Sequence, residues 1–197
     1  MTPTGVTAGD WRAFVARRGL RVPAGVVVPV GSSLAGVAQA AAGLRPPLVL
    51  KALGPRIVHK TEVRAVRLGL PDSGAAAAAA AEMLDELARQ DLLPVEGFLV
   101  EEMAPAGVEL LLGVRPDPRF GPMMVFGAGG TAVEARGEAR FFALPLRPFD
   151  VDTVLETLPW LAPALARLGG EAMPAIRDAI WRFGGPGGLG LDAEVVE

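Results

Sequence analysis

Lys51, His59 and Lys60 stand within one ten-residue stretch, KALGPRIVHK, and they are the only histidine and both lysines of a chain that otherwise uses arginine as its cation. A lysine closing the apolar run PLVLK puts a long ammonium at a sheet edge, where it can neutralise a phosphate; the plainer alternative is an exposed strand-end lysine. His59 follows in a polar loop. Neutral imidazole can accept a phosphoryl group or a proton near neutral pH, or simply be solvated, with Lys60 able to hold a phosphoryl beside it and Glu62 to orient the ring. A second candidate is FGAGGTAVE, residues 126–134. Glycines at 127, 129 and 130 allow either an anion-binding turn that presents backbone N–H groups or an ordinary hairpin turn.

The carboxylates are dispersed. Glu101 and Glu102 are adjacent in FLVEEM, Glu109 opens VELLLGV, and Glu134, Glu138 and Asp192 fall near strand ends. Strand alternation sends Glu101 and Glu102 to opposite faces, so one of them at most enters a given site. Magnesium carried by a polyphosphate needs one or two protein oxygens, and Glu138 and Asp192 are candidates, although acidic residues at turns are commonly just solvated. A zinc site is excluded by a single histidine and no cysteine. Ser32, Ser33 and Ser73 read as helix caps rather than nucleophiles.

These residues need elements to position them. Trp11, Phe14 and Val15 recur at helical spacing in a helix near 8–18, and Val26–Val30 reads as a strand. Ser32 or Ser33 caps a helix to about Ala42, Leu48–Leu53 is an apolar strand, and Val63–Leu70 is its returning partner. Asp72 or Ser73 caps a helix through the alanine run to about Gln90, in which the alanines read as helix-forming filler. From Gly97 the pattern becomes a run of strands, FLVEEM, VELLLGV, PMMVFG, TAVEA and ARFFALPL, expected to share an antiparallel sheet. Two or three helices over Asp150–Leu158, Leu161–Leu168 and Glu171–Phe183, a glycine-rich turn and a last strand LDAEVV complete an α+β chain.

The 197 residues carry a net charge of -3 from 19 basic and 22 acidic side chains, which supplies no footprint for nucleic acid and no polybasic membrane patch. No apolar run reaches the ~18 residues of a membrane span, the N-terminus has no signal-peptide pattern, and cysteine is absent, so a cytoplasmic location is expected.

In order and spacing, RGLRVPAGVVV, then VLKALGPRIVHKTEVRAVRLGL, then FLVEEMAPAGVELLLGVRPDPRFGPMMVFGAGGTAVE resemble the ATP-grasp domain of NDP-forming acyl-CoA synthetases, the ADP-forming acetate–CoA ligases related to the succinyl-CoA synthetase β subunit. The resemblance covers nearly the whole chain. It implies an ATP-grasp fold of two α+β lobes enclosing a nucleotide cleft, with residues 1–19 an N-terminal helix, about 20–95 the first lobe and 96–197 the second. It also implies binding of ATP or ADP with Mg2+, and catalysis of acid plus CoA plus ATP to acyl-CoA, ADP and phosphate. Lys51 would hold ATP phosphates, His59 would relay the phosphoryl group with Lys60 beside it, and Glu101 and Met103 would form the adenine hinge. Glu109 would approach the ribose, Gly127, Gly129 and Gly130 would face the phosphates, and Glu138, Asp192 and Glu194 would hold the metal. CoA chemistry would belong to a CoA-binding α-type subunit, making the assembly a hetero-oligomer.

The chain departs from the family pattern at three places. Arg64-Ala65 replaces a glycine pair, Phe142 replaces an arginine, and LDAEV replaces Asp-x-Asn-Pro, with Glu194 at the asparagine position and Val195 at the proline. Arg64 is a candidate to supply the cation lost at Phe142. A degenerate, non-catalytic ATP-grasp subunit with a binding or regulatory role is the alternative these changes imply.

Overall fold

The computed structural model describes residues 8–57, 60–130 and 139–191, and these divide into two compact units. Arg21–Pro105, with residues 8–13, forms one; residues 106–191, with Phe14–Leu20, form the other. Helix α1, Ala8–Arg17, therefore contributes its first half to one unit and its second half to the other.

The first unit contains β1 (Gly25–Pro29), α2 (Leu34–Ala41), β2 (Leu48–Leu53), β3 (Val66–Leu70), α3 (Ser73–Arg89) and β4 (Gly97–Glu102). Its sheet runs in the order β1-β4-β2-β3 with every neighbouring pair antiparallel. Both helices begin at the expected caps: Ser33 Oγ accepts from Gly36 N, and the Asp72 carboxylate accepts from Ala75 N. Period-2 alternation sends Leu48, Leu50 and Ala52 of β2 and Phe98 and Val100 of β4 into one core, where Val37 and Ala41 of α2 and Met83 and Leu87 of α3 join them. Truncating Leu50 there would cost about 2–5 kcal/mol. Ala76, Ala77, Ala79 and Ala80 are buried in the same cluster. The alanine run is thus more than filler, because its small side chains let α3 pack close to the sheet and to α2.

Two boundaries differ from expectation for physical reasons. β3 begins at Val66 rather than Val63, because Arg64 adopts a left-handed φ of 57° and Ala65 N donates to Lys60 O at 2.7 Å, closing the loop first. The first unit ends at Pro105 rather than near residue 95, because the FLVEEM strand is inserted between β1 and β2 instead of joining the strands that follow it.

The second unit holds β5 (Leu110–Asp117), β6 (Gly121–Ala128) and β7 (Ala139–Ala143) as a three-stranded antiparallel sheet. Asp117 shapes the β5–β6 turn by accepting from the backbone N–H groups of Arg119 and Phe120 at 2.8 and 3.0 Å. Helices α4 (Asp150–Glu156), α5 (Leu161–Ala166) and α6 (Ala172–Gly184) and a 3-10 turn at Leu189–Leu191 follow. Met124 and Phe126 of β6 are buried, as are Val154, Leu161, Ile180 and Phe183 of the helices. The expected strand TAVEA lies outside the described residues, as does LDAEVV beyond Leu191, which closes the 3-10 turn.

Candidate functional site

On the face of the first sheet opposite α2 and α3, the β2–β4 register places Val49 opposite Glu101 and Lys51 opposite Leu99. Lys51 and Glu101 are therefore diagonal neighbours on one face, within reach of each other's side chains. Lys51 Nζ donates to Glu101 Oε1, and the Arg12 guanidinium of α1 donates to Glu101 Oε2. Among the described residues Glu101 is the one charged side chain that is buried, at 5% exposure. A buried carboxylate survives in the ionised state when its lone pairs meet charged donors, and here both oxygens do.

Lys60 completes the group. Burial pushes its ammonium below the ordinary lysine value, repulsion from Lys51 adds to the effect, and attraction to Glu101 opposes it. Arg12, Lys51 and Lys60 thus surround a single carboxylate. Among the described residues, two of these cations hydrogen-bond Glu101 and the third is attracted to it from a partly buried position, an arrangement that can attract and hold an anion with more than one charge.

The neighbouring carboxylate has a different task. Glu102 turns to the other face, where it accepts from the backbone N–H of Arg45 at 3.0 Å and from its guanidinium at 2.9 Å, which holds its carboxyl below the usual range. Met103 follows the strand, its N–H donating to Pro47 O at 2.8 Å and its side chain exposed.

In the second unit Glu109 meets the glycine-rich loop. Gly129 N donates to Glu109 O at 2.8 Å, and a β-carbon on Gly129 would stand 2.8 Å from Leu110 backbone atoms. Gly130 has φ +60° and lies beneath the Glu109 carboxylate. Gly127 is buried within β6, paired with Leu111 and Ala139. Gly129 is thus required by the close approach of the Leu110 backbone, and Gly130 is favoured by its positive φ, whatever else the loop binds.

His59, Glu138, Asp192 and Glu194 lie outside the described residues. Among the described residues no three His, Asp or Glu side chains gather as metal ligands. Phe142 is paired with Met124 in the β6–β7 ladder. The Arg64 guanidinium donates to Glu86 of α3 at 3.2 Å, beside Arg67 at 2.7 Å. Arg12 is the site residue that sequence reasoning missed. Its local pattern shows only one charge within an amphipathic helix; the available signal was Gly25, a glycine at a strand position, which marks close approach of another group.

Comparison with known proteins follows the same line. Residues 6–184 match the family described as ATP-grasp domain. The β subunit of acetate–CoA ligase [ADP-forming] I of Pyrococcus furiosus is 28% identical over 142 residues, covering 70% of this chain and 61% of that one. The acetate–CoA ligase [ADP-forming] I of Archaeoglobus fulgidus is 36% identical over 100 residues, covering 51% of this chain and 15% of that protein. The chain therefore spans only part of the length of these relatives. Among solved structures, the dinucleotide forming acetyl-coenzyme A synthetase 1 of Ca. Korarchaeum cryptofilum with coenzyme A, acetyl-coenzyme A and a phosphorylated phosphohistidine segment superposes with a TM-score of 0.70. It is 27% identical, covering 89% of this chain and 76% of that one. The same synthetase with coenzyme A and Mg-AMPPCP, its phosphohistidine segment pointing towards the nucleotide binding site, gives 0.64 at 28% identity, covering 89% of this chain and 75% of that one.

Proposed function

Because the chain belongs to the ATP-grasp family, with its α+β fold, we propose that it is the ATP-binding subunit of an ADP-forming acyl-CoA synthetase, which converts acid, CoA and ATP to acyl-CoA, ADP and phosphate. The observation that supports this reading best is the grouping of Lys51, Lys60 and Arg12 around buried Glu101. Lys51 and Lys60 neutralise the ATP phosphates, and an anion arriving there offsets the burial and the Lys51 repulsion that together depress Lys60. Met103 sits at the end of β4 for adenine to pack on, and Glu109 with Gly127, Gly129 and Gly130 belongs to the nucleotide's ribose and phosphates. Magnesium enters with the nucleotide as Mg-ATP and shields its phosphate charge; Glu138, Asp192 and Glu194 are the residues assigned to it.

In the proposed relay an imidazole nitrogen of His59 forms a bond to the γ-phosphorus as the bond to the β–γ bridging oxygen breaks, releasing ADP. The phosphoryl group then passes to the acid's carboxylate at a CoA-binding α-type partner, where the thiol of CoA attacks the acyl carbon and displaces phosphate to give acyl-CoA. The complex is placed in the cytoplasm.

A second reading, nucleotide binding without turnover, is supported by Phe142 at the position of a family arginine and by the engagement of Arg64 with Glu86.

One experiment separates them. Titrating Mg-ATP and Mg-ADP into the chain should give a micromolar Kd, about -8 kcal/mol, lost in Lys51→Ala. Incubation with γ-labelled ATP should then leave acid-labile, base-stable phosphate on the chain and none on His59→Gln. Binding without label, with a CoA-binding partner present, selects the second reading; no binding with or without that partner overturns both.

A further inference from the structure

Glu101 is shared unequally by its two cations. The Lys51 side chain keeps 35% of its surface open, whereas Arg12 keeps 17% and Glu101 6%. Arg12 is also tethered at its far side, where its second terminal nitrogen donates to Pro23 O. An incoming anion can thus draw Lys51 away from Glu101, while Arg12 stays.

We propose that Arg12 is a positioning residue: by remaining on Glu101 Oε2 it allows Lys51 to leave the carboxylate for a nucleotide phosphate. The proposal rests on the nucleotide-binding reading of this face. Without Arg12, each time Lys51 turned to a phosphate it would leave a buried carboxylate with no hydrogen-bonded cation, and the penalty for that charge would hold Lys51 in place. Lys51 would then be a structural ion-pair partner rather than a ligand group.

The first strand is shaped to admit this arrangement. Gly25 is directly opposite Glu101 in the β1–β4 register. A β-carbon at Gly25 would stand 2.7 Å from Glu101 Cβ, 2.8 Å from Val100 O and 3.0 Å from the Arg12 terminal nitrogen. The absence of a side chain there leaves room for Arg12 to reach across β1 to the carboxylate.

The test compares Mg-ATP affinity in the full chain for wild type, Arg12→Gln, Arg12→Lys, Glu101→Gln and the double variant Arg12→Gln/Glu101→Gln, each first shown to melt cooperatively. Arg12→Gln should weaken binding about 10- to 100-fold. Arg12→Lys should recover most of that loss, and so should the double variant, which has no buried charge for Arg12 to neutralise. Wild-type affinity in Arg12→Gln, or a double variant as weak as Arg12→Gln, overturns the proposal while leaving the nucleotide site standing if Lys51→Ala still abolishes binding.

A readout that needs no nucleotide runs beside it. With lysine the only 13Cε-labelled residue, the chain gives two such resonances, Lys51 and Lys60. Arg12→Gln should shift the Lys51 resonance, because Lys51 then becomes the one cation hydrogen-bonded to Glu101, and an unmoved Lys51 overturns the proposal even if Mg-ATP fails to bind the wild type.

Discussion

Glu109 covers Gly130 so closely that a β-carbon on Gly130 would fall 1.5 Å from Glu109 Oε2, while the adjacent Gly129 presses on backbone atoms of Leu110 at 2.8 Å. The two glycines face different obstacles. Glu109's side-chain end can swing away from Gly130, leaving mainly the strain of a positive φ, whereas the Leu110 backbone cannot yield without disturbing β5. Gly130→Ala should therefore cost about 1 kcal/mol and Gly129→Ala about 2 kcal/mol or more. Urea unfolding of both variants checks the order, and equal costs would contradict it.

Arg64 holds a left-handed conformation that glycine adopts freely. Arg64→Ala keeps the strained backbone and loses the exposed pair with Glu86, which Arg67 continues to hold. Arg64→Gly should be more stable than Arg64→Ala by about 1 kcal/mol. Thermal melts of the two variants read the difference directly. The buried methyl of Ala65, by contrast, sits in the core cluster, so returning the family's second glycine should destabilise the chain.

Lys60 is depressed in the folded state relative to its ordinary value of 10.5. Between its folded and unfolded values the unfolded chain binds more protons, so this group's penalty is full below the folded value and disappears as pH rises towards 10.5. Lys60→Gln should raise the nucleotide-free thermal midpoint at pH 7 by about 2 °C and weaken Mg-ATP binding. A variant that is both less stable and equally good at binding would refute the description of this cluster as an anion site.

Acid acts in the opposite direction. Glu86, Glu102, Asp150 and Asp152 are each held below their ordinary values, chiefly by hydrogen bonds from Arg67, Arg45, Arg147 and Arg177 respectively. Their contributions are fully present above the unfolded values of 4.5 for Glu and 3.8 for Asp and are lost as pH falls through the lower folded values. Thermal midpoints measured from pH 7 to pH 3 should hold to about pH 5 and then decline. The decline should be shallower in 1 M salt, which screens these exposed pairs.

Local patterns in the sequence carried much of this architecture. Ser33 and Asp72 cap their helices as their residue types imply, Gly19 follows α1 with a positive φ, and alternation separates Glu101 from Glu102. What alternation cannot supply is the partner of a strand. FLVEEM reads the same whether it pairs with Leu48–Leu53 or with Leu110–Asp117, and its central place in the first sheet depends on burial summed over β1, β2 and two helices. Arg12 was hidden for the same reason, since 89 positions separate it from Glu101 and no periodicity spans that distance. Lys51 was legible as one of two lysines in an arginine-rich chain, but its carboxylate partner emerged only from the strand register.

The order β1-β4-β2-β3 also governs how the first unit forms during synthesis. A nascent chain halted before Gly97 has β1 on one side and β2 with β3 on the other, and no strand between them to hydrogen-bond to either. The sheet closes only when Gly97–Glu102 leaves the ribosome, and the same short segment delivers Glu101. Until then the apolar surfaces of β2 and α3 lack their neighbour, so the interval between translating Leu53 and Glu102 is when this unit is most exposed to misassociation.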